Sequence, residues 1–275
     1  MLRVIRIGLI ALTVMLLIGA GILFYYNYTH EDISKPTFQA SSATIEVSVK
    51  AERKDLCAGL HAYDNMDGDI TDRIMVQNIS NFSADDSFRV RYIVFDRASN
   101  YSVCERVARY TDYTPPTFTL NKPMVFNVGD TITYLDRISA NDCIEGDISD
   151  RITLLESNVS SSTQGTYRIK VSVTNKMGDT AELPLTVLVR NASPSAPTIT
   201  LSKYLLYQKA GELKNFRTLI ASVSDPLLEE AAPKKNVKIN SSGYDYQTPG
   251  AYDVYYYYTG ASGETATAVL TVVVE

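Results

Sequence analysis

The chain contains no tryptophan, two histidines and three cysteines among its 275 residues. Each scarcity removes a class of protein. Three cysteines do not make a disulfide scaffold, and without an indole an antibody-type core of Cys, Trp and Cys is excluded. His30 follows an apolar run while His61 directly precedes Ala62, so the two do not form a set for acid–base or metal chemistry. No Gly-x-Ser-x-Gly elbow is present, and no Ser or Cys nucleophile lies in a pattern with His and an acid. The sequence therefore reads as non-enzymatic. Basic tracts are also missing: Lys and Arg are scattered singly and the net charge is −5, which makes nucleic acid an unnatural partner.

What is present begins with an apolar run. Residues 7–26 carry no charge, and about 20 residues of helix at 1.5 Å rise span a hydrocarbon core roughly 30 Å thick. Arg3 and Arg6 precede the run, whereas His30, Glu31 and Asp32 come after it. The basic flank predicts residues 1–6 as a cytoplasmic tail, 7–26 as a transmembrane helix, 27–35 as a juxtamembrane linker and the remainder outside the cell. Phe24, Tyr25, Tyr26 and Tyr28 suit the outer interface. A cleaved signal peptide is the rival reading, with small residues at Gly19-Ala20-Gly21, but the apolar run is long and Ile18 suits a cut after Ala20 poorly.

The remainder repeats itself. The segment Ala62-Tyr63-Asp64-Asn65-Met66-Asp67-Gly68-Asp69-Ile70-Thr71-Asp72-Arg73-Ile74 returns 78 positions later as Ala140-Asn141-Asp142-Cys143-Ile144-Glu145-Gly146-Asp147-Ile148-Ser149-Asp150-Arg151-Ile152. Downstream, Phe88, Val90, Tyr92 and Val94 alternate with polar or outward positions, and Tyr167, Ile169, Val171 and Val173 repeat the pattern. A period of two predicts a half-buried strand. Turns at Ser99-Asn100, Gly178-Asp179 and Gly263-Glu264 each precede another strand. With prolines at 36, 116 and 197 marking the starts, the sequence predicts modules over 36–113, 114–193 and, more divergent, 194–275. The proline-bearing linkers favour extended joints and a rod-like stack. Short strands with Gly, Asn, Asp or Pro turns and no amphipathic helix predict an all-β protein: three tandem Ig-like antiparallel β-sandwiches after one N-terminal transmembrane helix.

These residues resemble a bacterial Ig-like family whose modules carry Ala-x-Asp, then Gly-Asp-Ile-Thr, an alternating Tyr/Val strand and an Asp-x-Ala-Gly-Asn turn. Gly68-Asp69-Ile70-Thr71 and Asp96-Arg97-Ala98-Ser99-Asn100 match, with Ser99 replacing glycine; Gly146-Asp147-Ile148-Ser149 matches in the second copy. The third keeps Asp225 and the last two strands. The resemblance implies a module of bacterial surface and secreted proteins, some pesticidal crystal proteins among them, and no single activity.

Candidate sites emerge from residue chemistry. Asp64, Asp67, Asp69 and Asp72, and likewise Asp142, Glu145, Asp147 and Asp150, offer hard oxygen ligands for Ca²⁺. An EF-hand is excluded, because placing Gly68 sixth puts Tyr63 first and Ile74 last. The other reading is structural: Asp and Asn accept backbone hydrogen bonds in consecutive turns while Gly takes a positive φ, and no cofactor is needed. Cys57 and Cys104 could pair within the first module. Tyr255 and Tyr257 should face outward from their strand as a patch for a protein or carbohydrate ligand. The sequence thus predicts a surface protein serving adhesion, ligand binding or spacing; the alternatives are a calcium-dependent binding module and an accessory subunit of an envelope enzyme.

Overall fold

The computed structural model describes residues 2–29, 32–83 and 85–275; His30 and Glu31, expected to mark the outer flank, lie outside that set. The apolar run forms helix α1 (Leu2–Thr29). Its stretch Ile5–Tyr26 has a mean hydropathy of 2.6 and none of it is buried against the protein. By length and composition such a helix could cross a membrane or serve as a signal sequence. Thr13 satisfies its hydroxyl within the helix, donating to the carbonyls of Leu9 and Ile10 at 3.2 and 2.8 Å.

The chain divides into two compact units, Met1–Thr111 and Asp112–Glu275, and beyond α1 it is strands joined by turns and short 3-10 helices. In the first, the strands are β1 (Thr37–Ala40), β2 (Thr44–Val47), β3 (Leu60–Asp64), β4 (Gly68–Asp69), β5 (Met75–Ile79), β6 (Phe88–Phe95) and β7 (Tyr101–Tyr110). They form two sheets, β1-β3-β4 and β2-β7-β6-β5. The entry strand is broken between the sheets: β1 runs antiparallel to β3, whereas β2 runs parallel to β7. The alternation read from the sequence sets the core, since Phe88, Val90, Tyr92 and Val94 are all fully buried while Arg89 and Arg91 face solvent. The Phe88 ring packs against that of Tyr110, centroids 4.6 Å apart and planes tilted by 33°.

The second unit repeats the plan. Its first half holds β8 (Thr117–Leu120), β9 (Val125–Asn127), β10 (Ile138–Asp142), β11 (Gly146–Asp147), β12 (Thr153–Ser157), β13 (Gly165–Thr174) and β14 (Thr180–Arg190). These make sheets β11-β10-β8 and β12-β13-β14-β9, with β9 parallel to β14. Even the bulge recurs, between Val76 and Asn78 in one copy and Leu154 and Glu156 in the other. Ile169, Val171 and Val173 are buried as expected, but Tyr167 is only half-buried, its hydroxyl donating to the Thr163 carbonyl at 2.8 Å.

The last segment carries β15 (Thr198–Leu201), β16 (Leu205–Gln208), β17 (Ile220–Ser224), β18 (Lys238–Asn240), β19 (Gly250–Thr259) and β20 (Thr265–Val274). The sheets are β15-β17 and β16-β20-β19-β18, again with the entry strand β16 parallel to the final strand. The Gly-Asp strand after the acidic loop has no counterpart here, because Pro226-Leu227-Leu228-Glu229-Glu230 succeeds Asp225. Within this unit the apolar packing continues past residue 193: Leu205 belongs to the cluster of Phe118, Phe126 and Val187, with Tyr204, Tyr207 and Val273 against it. The Phe118 amide donates to the Tyr207 hydroxyl at 2.9 Å. At the linker, the hydroxyls of Ser193 and Ser195 donate to the Glu264 carboxylate at 2.9 and 3.0 Å.

Candidate functional site

The repeated acidic loop is built from its backbone outward. Asp64 ends β3, and its Oδ1 accepts the amides of Met66 and Asp67, both at 2.9 Å; Asp142 does the same for Ile144 and Glu145. Gly68 and Gly146 then take φ values of 75° and 77°, the left-handed turn that glycine enters without steric cost. Asp69 accepts the Thr71 amide, Asp147 that of Ser149, and the hydroxyls of Thr71 and Ser149 accept the amides of Ala62 and Ala140. Ile70 and Ile148, fully buried or nearly so, pin the loop to the core.

The second acid of each loop grips the hairpin turn beyond β6 or β13. Asp67 Oδ2 accepts from Arg73 at 2.6 Å and from the Arg97 amide at 2.8 Å. Glu145 likewise takes Arg151 at 2.6 Å and the Lys176 amide at 2.5 Å. Asp72 and Asp150 project into solvent from short 3-10 turns. Of the eight residues singled out in the sequence as oxygen ligands, Asp67, Asp69, Glu145 and Asp147 are thus engaged by groups of the loop and of the neighbouring hairpin turn, and among the described residues the acids of one loop do not gather their oxygens at one point.

These bonds predict an acid-sensitive fold. The Thr71 hydroxyl beside Asp69, the Arg151 guanidinium beside Glu145 and the Ser149 hydroxyl beside Asp147 hold the three carboxyls below their ordinary range. A depressed folded value means that the stability these groups contribute is complete above the unfolded range, near pH 4, and is lost as pH falls through the folded values. Melting temperature followed by circular dichroism should stay level from pH 7 to about 5 and fall below about pH 4.

A different convergence joins one of those acids, Asp64, to two aspartates that the sequence does not single out as ligands. Asp32, Asp64 and Asp96 each place a carboxylate oxygen within 4.8 Å of the others. Asp32 comes from the segment after α1, Asp64 from the end of β3 and Asp96 from the turn after β6. Asp32 also accepts the Ser34 amide, and Asp96 accepts both the backbone and side-chain N–H groups of Asn100. The Asn100 amide further donates to the Asp32 carbonyl at 2.9 Å, closing the corner. The sequence signal is limited to one position: only the first copy has an acid at Asp96, where the second has Asn175 and the third Gly260.

The cysteines and tyrosines differ from expectation. Cys57 and Cys104 are free, half-buried thiols, and Cys57 Sγ is turned toward the Arg53 carbonyl, 3.8 Å away, so the anticipated bond is not formed. Burial pushes both thiols up. Tyr255 and Tyr257 are half-buried rather than openly displayed, because residues 164–166 and 188–190 wall their face. Their rings stack at 6.2 Å with 7° between planes. They line a shallow groove of about 260 Å³ with Gln164, Arg190, Thr265 and Thr267.

No protein-family profile matches the chain. Among curated proteins, the pesticidal crystal protein Cry22Aa of Bacillus thuringiensis is 25% identical over 258 residues, covering 88% of this chain. The chain spans about a third of that relative, 33% of its length. Among solved structures, the M60 catalytic domain with the CBM51-1 and CBM51-2 domains from Clostridium perfringens ZmpB is 12% identical over 87% of this chain and 30% of its own, with a TM-score of 0.24. Mouse cadherin-23 EC22-24 is 14% identical over 88% of this chain and 99% of its own, with a TM-score of 0.21.

Proposed function

We propose that the chain is a non-enzymatic, membrane-anchored display protein of a bacterial surface, its Ig-like modules standing outside the membrane and serving binding or spacing. The observation that carries this reading is a helix of membrane-crossing length, none of it buried by the protein, succeeded by sandwiches built to one plan. Arg3 and Arg6 before the helix favour export of the chain beyond it. The acidic loops support a structural role over catalysis, since their carboxylates are engaged by backbone amides and arginines instead of facing a common cleft. The groove at Tyr255 and Tyr257 is the surface best suited to a ligand: parallel rings offer a flat apolar platform, and Arg190, Gln164 and two threonines supply polar contacts at its margin.

Protease added to intact cells expressing a C-terminally tagged chain is expected to remove the tag and release fragments, whereas a cytosolic marker survives. Full protection of the tag, intact until the cells are lysed, would defeat the proposal.

A further inference from the structure

We infer that the acidic corner of the first module is a binding site for a hard divalent cation of the calcium class, held by Asp32, Asp64 and Asp96. Asp64 is 8% exposed and Asp96 6%. The Asp64 Oδ1 is used by its turn, but Oδ2 is buried and finds no hydrogen-bond partner among the described residues. Leaving a carboxylate oxygen dry and unpaired is costly unless a positive group reaches it. No lysine or arginine forms an ion pair with any of the three aspartates among the described residues; Arg73 and Arg97 go to Asp67.

The other two copies reveal how the same leftover oxygen is satisfied elsewhere. In the second, Asn175 stands at the Asp96 position, and its side-chain amide donates to Asp142 Oδ2 at 2.9 Å. In the third, Gly260 stands there, a Cβ would come within 2.7 Å of Asp225 Oδ2, and the Ala261 amide donates to that oxygen at 2.7 Å. The first copy instead sets a second carboxylate opposite the first and brings a third from Asp32. The donor that reaches this oxygen in the other copies is replaced by carboxylates, and carboxylate oxygens are what a hard cation takes.

The spacing fits. Two oxygens on one Ca²⁺, each at about 2.3–2.6 Å, stand no more than about 5 Å apart, and the three aspartate oxygens lie within 4.8 Å of one another. Water would complete the coordination on the side of Asp32, which is only partly buried. A cation there ties the segment after α1 to a loop and a turn of the sandwich, so it would stiffen the joint between that segment and the first module.

The test is calorimetric titration of the full chain in detergent micelles, stripped with chelator, using calcium chloride as the probe. The wild type is expected to bind about one Ca²⁺ with a Kd in the range 10⁻⁵–10⁻³ M and to melt several degrees higher when saturated. Asp96→Asn recreates the arrangement of the second copy; it should keep the circular dichroism spectrum and bind at least about 100-fold more weakly. Should that variant misfold, Asp32→Asn, outside the sandwich strands, should weaken binding at least tenfold. A wild type showing neither heat nor a melting shift up to about 10 mM calcium, or either variant binding as the wild type does, overturns the site.

Discussion

Asp142→Ala should destabilise the second unit by about 3–5 kcal/mol, the cost of stripping the partner from several buried donors at once. Asp142 is 1% exposed and accepts three hydrogen bonds: the amides of Ile144 and Glu145 at one oxygen, the Asn175 side chain at the other. Removing the carboxylate leaves the amides at the start of the loop without an acceptor and takes from the Asn175 side-chain amide one of its two acceptors, the Tyr113 hydroxyl being the other; the Asn175 side-chain carbonyl accepts the amides of Met177 and Asp179 in the next turn. Loop and hairpin turn should loosen together. Urea denaturation followed by circular dichroism measures the loss; a change below about 1 kcal/mol would mean that water replaces these bonds readily.

Tyr256→Ala is expected to cost a similar amount, about 3–5 kcal/mol, through a cavity in the core of the last segment. Tyr256 is fully buried among Val254, Phe216 and Leu270, and its hydroxyl donates to the Phe216 carbonyl at 2.9 Å, 40 positions back in the chain. Burial pushes the phenol up, so it remains a donor at any ordinary pH. Tyr256→Phe separates the two contributions: it keeps the ring and should cost only about 1–2 kcal/mol, the penalty for an orphaned carbonyl. Tyr92 makes the same link to the Leu56 carbonyl at 2.6 Å, whereas the equivalent position of the middle copy is Val171. Denaturation curves for both Tyr256 variants decide how much of the effect is packing and how much is the bond.

Local periodicity carried much of this architecture into view. Phe88 to Val94 alternates strictly, and alternation in a half-buried strand needs only the pleat to be read. The positive φ at Gly68 and Gly146 is equally local, a matter of three or four residues in a turn. The acidic corner is not local. Asp32, Asp64 and Asp96 meet only because the hairpin turn after β6 folds back over the loop after β3, and linear spacing carries no trace of that. The same holds for Tyr255 and Tyr257, whose outward face was legible but whose cover, from residues 164–166 and 188–190, comes from a different sheet. Cys57 and Cys104 illustrate the converse: membership of one module says nothing about where a thiol is turned.

The parallel pairing of each short entry strand with the last strand of its sandwich has a mechanical meaning. Tension entering at the start of β2 and leaving at the end of β7 drags the two past each other lengthwise, so the bonds from Thr44 through Val47 to Val107 through Tyr110 are loaded simultaneously, in shear. A hairpin pulled open from its tips surrenders one bond at a time. With the same grip recurring at β9 with β14 and at β16 with β20, a chain held by its helix and tugged from its far end meets three such clamps in series.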